Sequence, residues 1–291
     1  VVVFVIASHR ILHPLFSPAA SEGYKRRLQG GLRESFACGI IGTYIVTRRL
    51  VFISGGITHA SFGGIGIGLF TGISPLLSAA VFSVLSAFGV EWLSKRKDMR
   101  EDSAIAVFWT LGMALGVMFS FLSPGFAPDL SAYLFGNILT ITVTDLVILG
   151  VLALVLIVFF TLFIHPIIHV AFDREFARSQ GLPVAFFEYT LMLFIALTIV
   201  ACLRMVGIVL AMSLLTIPQM TANLFTYKFK RIIWLSVIIG FLSCMGGLFI
   251  SYFLNVPSGA SIIFFSILIY AVCKVAKSIS TRIQREENKK L

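Results

Sequence analysis

Charge is what this sequence lacks. Asp, Glu, Lys and Arg make up 12% of the 291 residues, about half the share of a soluble domain, and acidic residues are the scarcer kind, 13 against 23 basic. Within the apolar runs carboxylates are nearly absent, which argues against a membrane-embedded hydrolase and against an ion- or proton-coupled secondary carrier, whose coupling groups are intramembrane acids. No GxxxxGK[ST] phosphate loop, HExxH or GxSxG pattern occurs, so the chain shows neither that route to nucleotide cleavage nor a familiar hydrolase signature. It reads as a non-enzyme without catalytic residues. Cys38, Cys202, Cys244 and Cys273 are scattered, with no CxxC or Cys/His spacing, and read as small buried hydrophobes.

What is present is apolar surface. Hydrophobic residues are 58% of the chain and the mean hydropathy is +0.99, arranged in continuous runs of the length that a roughly 30 Å hydrocarbon layer demands. The runs do not alternate as barrel strands do, so the expectation is an all-α membrane protein, a polytopic bundle of eight or nine helices. Spans are expected at 28–47, 54–72, 76–94, 103–122, 145–164, 187–204, 206–224, 232–254 and 258–274. The Gly207 region is either a tight turn between two spans or a kink in one. With Arg48 and Arg49 cytoplasmic, alternation places the basic clusters at 95–100, 174–178, 228–231 and the C-terminal tail on the same side, while the opposite connections carry no Lys or Arg. Lys25-Arg26-Arg27 breaks this pattern if all nine spans cross. The formal +10 charge therefore reports orientation in a membrane; no nucleic-acid partner is expected. Residues 1–27 are expected to be a separate N-terminal segment, whose apolar run ends by Ala7, too short for a signal-peptide core. The membrane domain spans 28–275, and 276–291 form a basic cytoplasmic tail.

A few polar groups remain for chemistry. Arg33, Glu34, Glu91 and Arg204 sit near span ends, where they snorkel or pair locally. Asp145 opens the fifth span as a helix cap. His165 and His169 have ligand spacing, but Pro166 between them favours an interfacial kink. Residues 122–144, broken by Pro124, Gly125, Pro128 and Gly136, read as short or re-entrant helices, so that Asn137 could face a pore. The stretch FDREFARSQGLPV, 172–184, has an acidic start, a short helix and a Gly181/Pro183 stop, more than a connector needs, and reads as a docking element. In GGITHASFGGIGIG, Gly55, Gly56, Gly63 and Gly64 permit close helix packing around one histidine, His59.

Together these segments resemble the membrane (permease) subunit of ABC importers for manganese, zinc and iron. The markers are Arg48-Arg49-Leu50-Val51-Phe52-Ile53 leading to Thr58-His59-Ala60; Leu134-Phe135-Gly136-Asn137-Ile138-Leu139 before Asp145; Phe172 to Arg178 with Gly181-Leu182-Pro183; and Leu214-Leu215-Thr216-Ile217-Pro218 with Thr221-Ala222. The resemblance implies a homodimer or pseudo-dimer of permeases in a prokaryotic plasma membrane, surrounded by lipid. Cytoplasmic ATPase subunits carry ATP, and an extracytoplasmic metal-binding protein delivers the ion. No cofactor belongs to this chain, and a divalent metal ion is its substrate. By resemblance the 172–184 segment is the coupling loop, with Asp173, Glu175, Ala177, Gly181 and Pro183 at the ATPase. His59 is a ligand on the ion path and Asn137 a weaker candidate. The family commonly has an Asp four residues before this His; here that position is Gly55, which tilts the choice away from manganese, a metal that leans on carboxylate oxygen. The alternative is a secondary metal transporter.

Overall fold

The computed structural model describes residues 18–94, 100–123, 142–254 and 256–290. Among them every regular element is a helix: α1 (Pro18–Thr47), α2 (Val51–Thr71), α3 (Pro75–Ser94), α4 (Glu101–Leu122), α5 (Val143–Leu162), α6 (Ile164–Phe172), α7 (Arg174–Ser179), α8 (Val184–Leu214), α9 (Ile217–Asn223), α10 (Phe229–Leu254) and α11 (Ser258–Lys290). Among the described residues eight segments are long and apolar enough to cross a membrane: α2, α3, α4, α5, α10, residues 258–282 of α11, and two from α8 and α9, Val184–Leu203 and Val206–Asn223.

α1 is the exception. Its 30 residues would extend about 45 Å, but Arg33, Glu34 and the glycines in its second half leave it outside that apolar set. The helix starts ten residues before the expected span, because helix-forming polar residues carry it past the apolar run. It likewise crosses the expected boundary at residue 27, as α11 crosses the one at 275. Ala37, Ile40, Ile41, Tyr44 and Ile45 of α1 are buried against α5, α8 and α10.

α2 is buried along most of its length, between α3, α4 and α8. Its glycines explain the closeness. A Cβ on Gly63 would lie 2.8 Å from the Gly112 carbonyl oxygen, one on Gly66 2.5 Å from that of Gly116, and one on Gly64 2.6 Å from the Ala79 Cα. Backbone therefore meets backbone, as small residues allow between helices in lipid. By contrast α4 and α11 expose Val107, Leu111, Met118, Phe121, Phe264, Leu268 and Val272, a surface suited to acyl chains.

The helix ends carry readable signals. α1 ends in a Schellman-type turn, with the Leu50 N–H donating to the Ile45 carbonyl and the Arg49 N–H to that of Val46, and with Arg49 at φ 59° where glycine is usual. Thr142 caps α5 through a reciprocal box with Asp145, the capping role expected of that acid. α8 is interrupted at Gly207 (φ 77°, ψ 173°), a conformation essentially confined to glycine. Leu203 and Ile208, flanking that break, share a buried cluster with Phe62 and Ile65 of α2.

One end of the bundle collects charge. Arg48 follows the last residue of α1, Glu91 lies near the end of α3, Glu101 starts α4 and Glu188 lies in the first turns of α8, all near enough to interact. Lys277 of α11 donates to the Leu224 carbonyl at the end of α9. The end gathered around Arg48 is the one that the distribution of basic residues marks as cytoplasmic.

Candidate functional site

His59 occupies a singular position on α2. Every residue from Ile53 to Gly66 is buried except His59, which is half-buried. The hydroxyls around it are used up within the helix: Thr58 Oγ1 donates to the Ser54 carbonyl at 2.6 Å, and Ser61 Oγ to that of Thr58 at 2.5 Å. The imidazole stacks on Trp109 of α4, with ring centroids 4.5 Å apart and planes 5° from parallel. That contact fixes the ring plane, and Nδ1 is covered without a hydrogen-bond partner. A buried ring nitrogen left unpaired is costly, and a metal ion is one group that satisfies it.

Gly55, one turn earlier on the same face, looks onto Met212 of α8. A Cβ there would stand 3.1 Å from Met212 Cε and 3.5 Å from Sδ. A thioether thus lies beside the position where the resemblance leads one to expect a carboxylate. A Cβ on Gly56 would collide with Ile105 of α4 at 2.5 Å, so Gly56, like Gly63 and Gly64, is required by packing. Asn137 and the rest of 124–141, like the side chain of Arg204, lie outside the described residues.

The 172–184 segment forms a small protruding unit. Asp173 accepts the Phe176 N–H at 2.9 Å and caps α7, while the Leu182 N–H returns to the Ala177 carbonyl at 3.1 Å. Gly181 makes the exit turn at φ 75°, and Pro183 precedes the first residue of α8. Asp173, Glu175, Gly181 and Pro183 are exposed; Ala177 is buried and anchors the helix from within. Phe172 and Phe176 remain open to solvent, giving the unit an apolar tip. A feature not visible in the sequence holds it in place. Glu188 of α8 is buried and forms an ion pair with Arg174 at 2.7 Å, with Arg48 3.7 Å away, and Arg48 also donates to the Val170 carbonyl at 2.7 Å. The only sequence signal for Glu188 is a lone acid early in a span that follows a basic loop.

His165 and His169 are exposed on α6 and line a shallow cavity of about 350 Å³ with Phe176, Gln180 and Leu182. Among the described residues no third His, Cys, Asp or Glu joins them to complete a metal site.

A polytopic helical bundle with a short exposed helix unit at its charge-rich end and a half-buried imidazole in a glycine-packed span fits the membrane component of a transporter. Residues 24–277 match the ABC 3 transport family, and the chain belongs to that family as the permease component of an ABC transporter. It is 33% identical over 249 residues, 85% of each chain, to the manganese transport system membrane protein MntC of Halalkalibacterium halodurans. It is 31% identical over 234 residues, 80% of this chain and 83% of the other, to MntC of Listeria monocytogenes. In three dimensions it is similar to PsaBC from Streptococcus pneumoniae in complex with Fab, with a TM-score of 0.77 and 26% identity over 94% of this chain and 95% of the other. These relationships do not favour the secondary-carrier alternative.

Proposed function

We propose that this chain is the transmembrane half of an ATP-driven importer of a divalent metal ion, zinc, iron or manganese, in a prokaryotic plasma membrane. Two permeases, identical or similar, pair around the ion path. An extracytoplasmic metal-binding protein supplies the ion, and two ATPase subunits engage the exposed face of α6 and α7. Closure of the ATPases pulls on α7. The Arg174–Glu188–Arg48 bridge passes that movement to α8 and α1, which switches access past His59.

The observation that carries this reading is the imidazole of His59: half-buried in an otherwise buried stretch, stacked on Trp109 and unpaired at Nδ1. A ligand of modest strength suits a pathway, since conduction requires binding loose enough to leave. The test is uptake of isotopic zinc, iron and manganese by vesicles containing the chain with its ATPase, compared with His59→Ala. Uptake and metal-stimulated ATP hydrolysis should both collapse in the variant. Unchanged uptake would take His59 off the path.

A further inference from the structure

Three ionisable side chains converge between α1 and α8, on other elements than the one bearing His59. Glu34 and Cys38 stand one turn apart on α1, and Cys202 reaches them from α8. One carboxylate oxygen of Glu34 and the two sulfurs all lie within 4.8 Å of one another. The sulfurs are 3.6 Å apart. Glu34 is 0% exposed, Cys38 1% and Cys202 0%, so the group is sealed inside the bundle.

Glu34 differs from the expectation that it snorkels or pairs locally. Both its carboxylate oxygens are buried without a close hydrogen-bond partner, the Cys202 thiol being the group that faces them. The neighbouring Arg33 turns away and donates to the Leu146 carbonyl of α5 at 2.6 Å. An acid held among helices without a counter-charge carries a heavy desolvation cost, and the residues that share its space are thiols. Thr198, one turn before Cys202 on α8, is also fully buried with its hydroxyl unpartnered.

The spacing rules out a disulfide and fits either a thiol–thiol hydrogen bond or a shared metal ion. A disulfide needs sulfurs about 2.05 Å apart, far inside the observed separation. Two metal–sulfur bonds of about 2.3 Å at a tetrahedral angle place sulfurs about 3.8 Å apart, close to the 3.6 Å observed. A carboxylate within 4.8 Å of both sulfurs supplies a third donor by moving only its flexible end.

We propose that Glu34, Cys38 and Cys202 form a second metal site, inside a single protomer, for a borderline-soft divalent ion, zinc foremost. Two thiolates and one carboxylate favour zinc over manganese, magnesium or calcium. Binding displaces the protons of the two thiols, and that of the carboxyl where it is protonated, to bulk water. The bound ion ties α1 to α8, the two helices joined at their cytoplasmic ends by Arg48 and Glu188. The site stands independently of the transport reading.

The test uses the full chain, purified under reductant in lipid nanodiscs and stripped with chelator, then titrated with Cd2+ as a spectroscopic stand-in for Zn2+. Thiolate-to-cadmium charge-transfer absorption should saturate at one ion per chain and be displaced by Zn2+ but not by Mn2+. The band should vanish in Cys38→Ser and Cys202→Ser. In Glu34→Gln it should persist with affinity weakened by about tenfold or more. His59→Ala and Cys273→Ser should leave it intact, so loss of transport in His59→Ala and loss of this site are separable results. Should the cysteine variants fail to fold, X-ray absorption on the wild-type zinc form decides, with two sulfurs expected in the zinc shell. A wild-type chain that gives no band, a band at full strength in either cysteine variant, a zinc shell without sulfur, or a Cys38–Cys202 disulfide recovered from reduced preparations would each overturn the proposal.

Discussion

Glu188→Gln should release the 172–184 unit without disturbing the rest of the bundle. Glu188 sits 2.7 Å from the Arg174 Nε and 3.7 Å from Arg48, with its own side chain 6% exposed, Arg48 7% and Arg174 46%. Breaking a fully buried pair costs about 3–5 kcal/mol, and a solvent-exposed pair is worth less than about 1 kcal/mol. Arg174 is half in solvent, and Arg48 retains its bond to the Val170 carbonyl. The neutral amide should therefore cost about 2 kcal/mol, between those limits. If that energy holds α7 against local opening, its loss raises the open population about 30-fold. Hydrogen exchange in lipid nanodiscs reads this directly. The amides of Ala177, Gln180 and Leu182, which bond within the unit, should lose about 30-fold protection, while those of α2 keep theirs. Arg174→Gln should have a similar effect, and the double variant should add little to either. Unchanged protection in Glu188→Gln, or strictly additive effects, would refute the argument that this bridge fixes the unit.

Three other outcomes follow from the geometry. Gly66→Ala puts a methyl 2.5 Å from the Gly116 carbonyl oxygen, backbone that cannot step aside, so α2 and α4 must separate at about 2–3 kcal/mol; a clear fall in melting temperature checks this, and a wild-type melt counts against it. Gly181→Val meets open space but must hold φ 75°, costing about 1–2 kcal/mol, and co-purification with the ATPase should weaken, while Gly181→Asn stays near wild type. Gly55→Asp displaces only the flexible end of Met212 and restores a carboxylate one turn before His59; manganese should gain on zinc in competitive uptake, and an unchanged ratio would show that Gly55 does not set ion choice.

The spans were legible because hydrocarbon imposes a length and an apolar composition on any helix that crosses it. Their observed limits follow the apolar runs closely, as in α3 (Pro75–Ser94) and α4 (Glu101–Leu122). Where polarity carries no membrane constraint the pattern went silent: nothing in hydropathy tells that α1 continues back to Pro18. Gly207 could be flagged as a turn or kink, but its dihedral angles belong to packing against α2. His59 was legible through its neighbours in the chain, whereas Trp109 and Met212, which shape its surroundings, come from α4 and α8 with no local mark.

The cysteines show the division most sharply. Read alone, each is a small apolar residue in a span, and no spacing connects Cys38 with Cys202, 164 positions later. Composition and periodicity determined that the chain is helical, membrane-embedded and oriented by its basic loops, because each property is decided by residues close together against a uniform solvent. The packing of α1 against α8 alone decided that an unpaired carboxylate and two thiols share one sealed space. Such a site depends on which helix faces meet, and that is settled by the whole bundle at once.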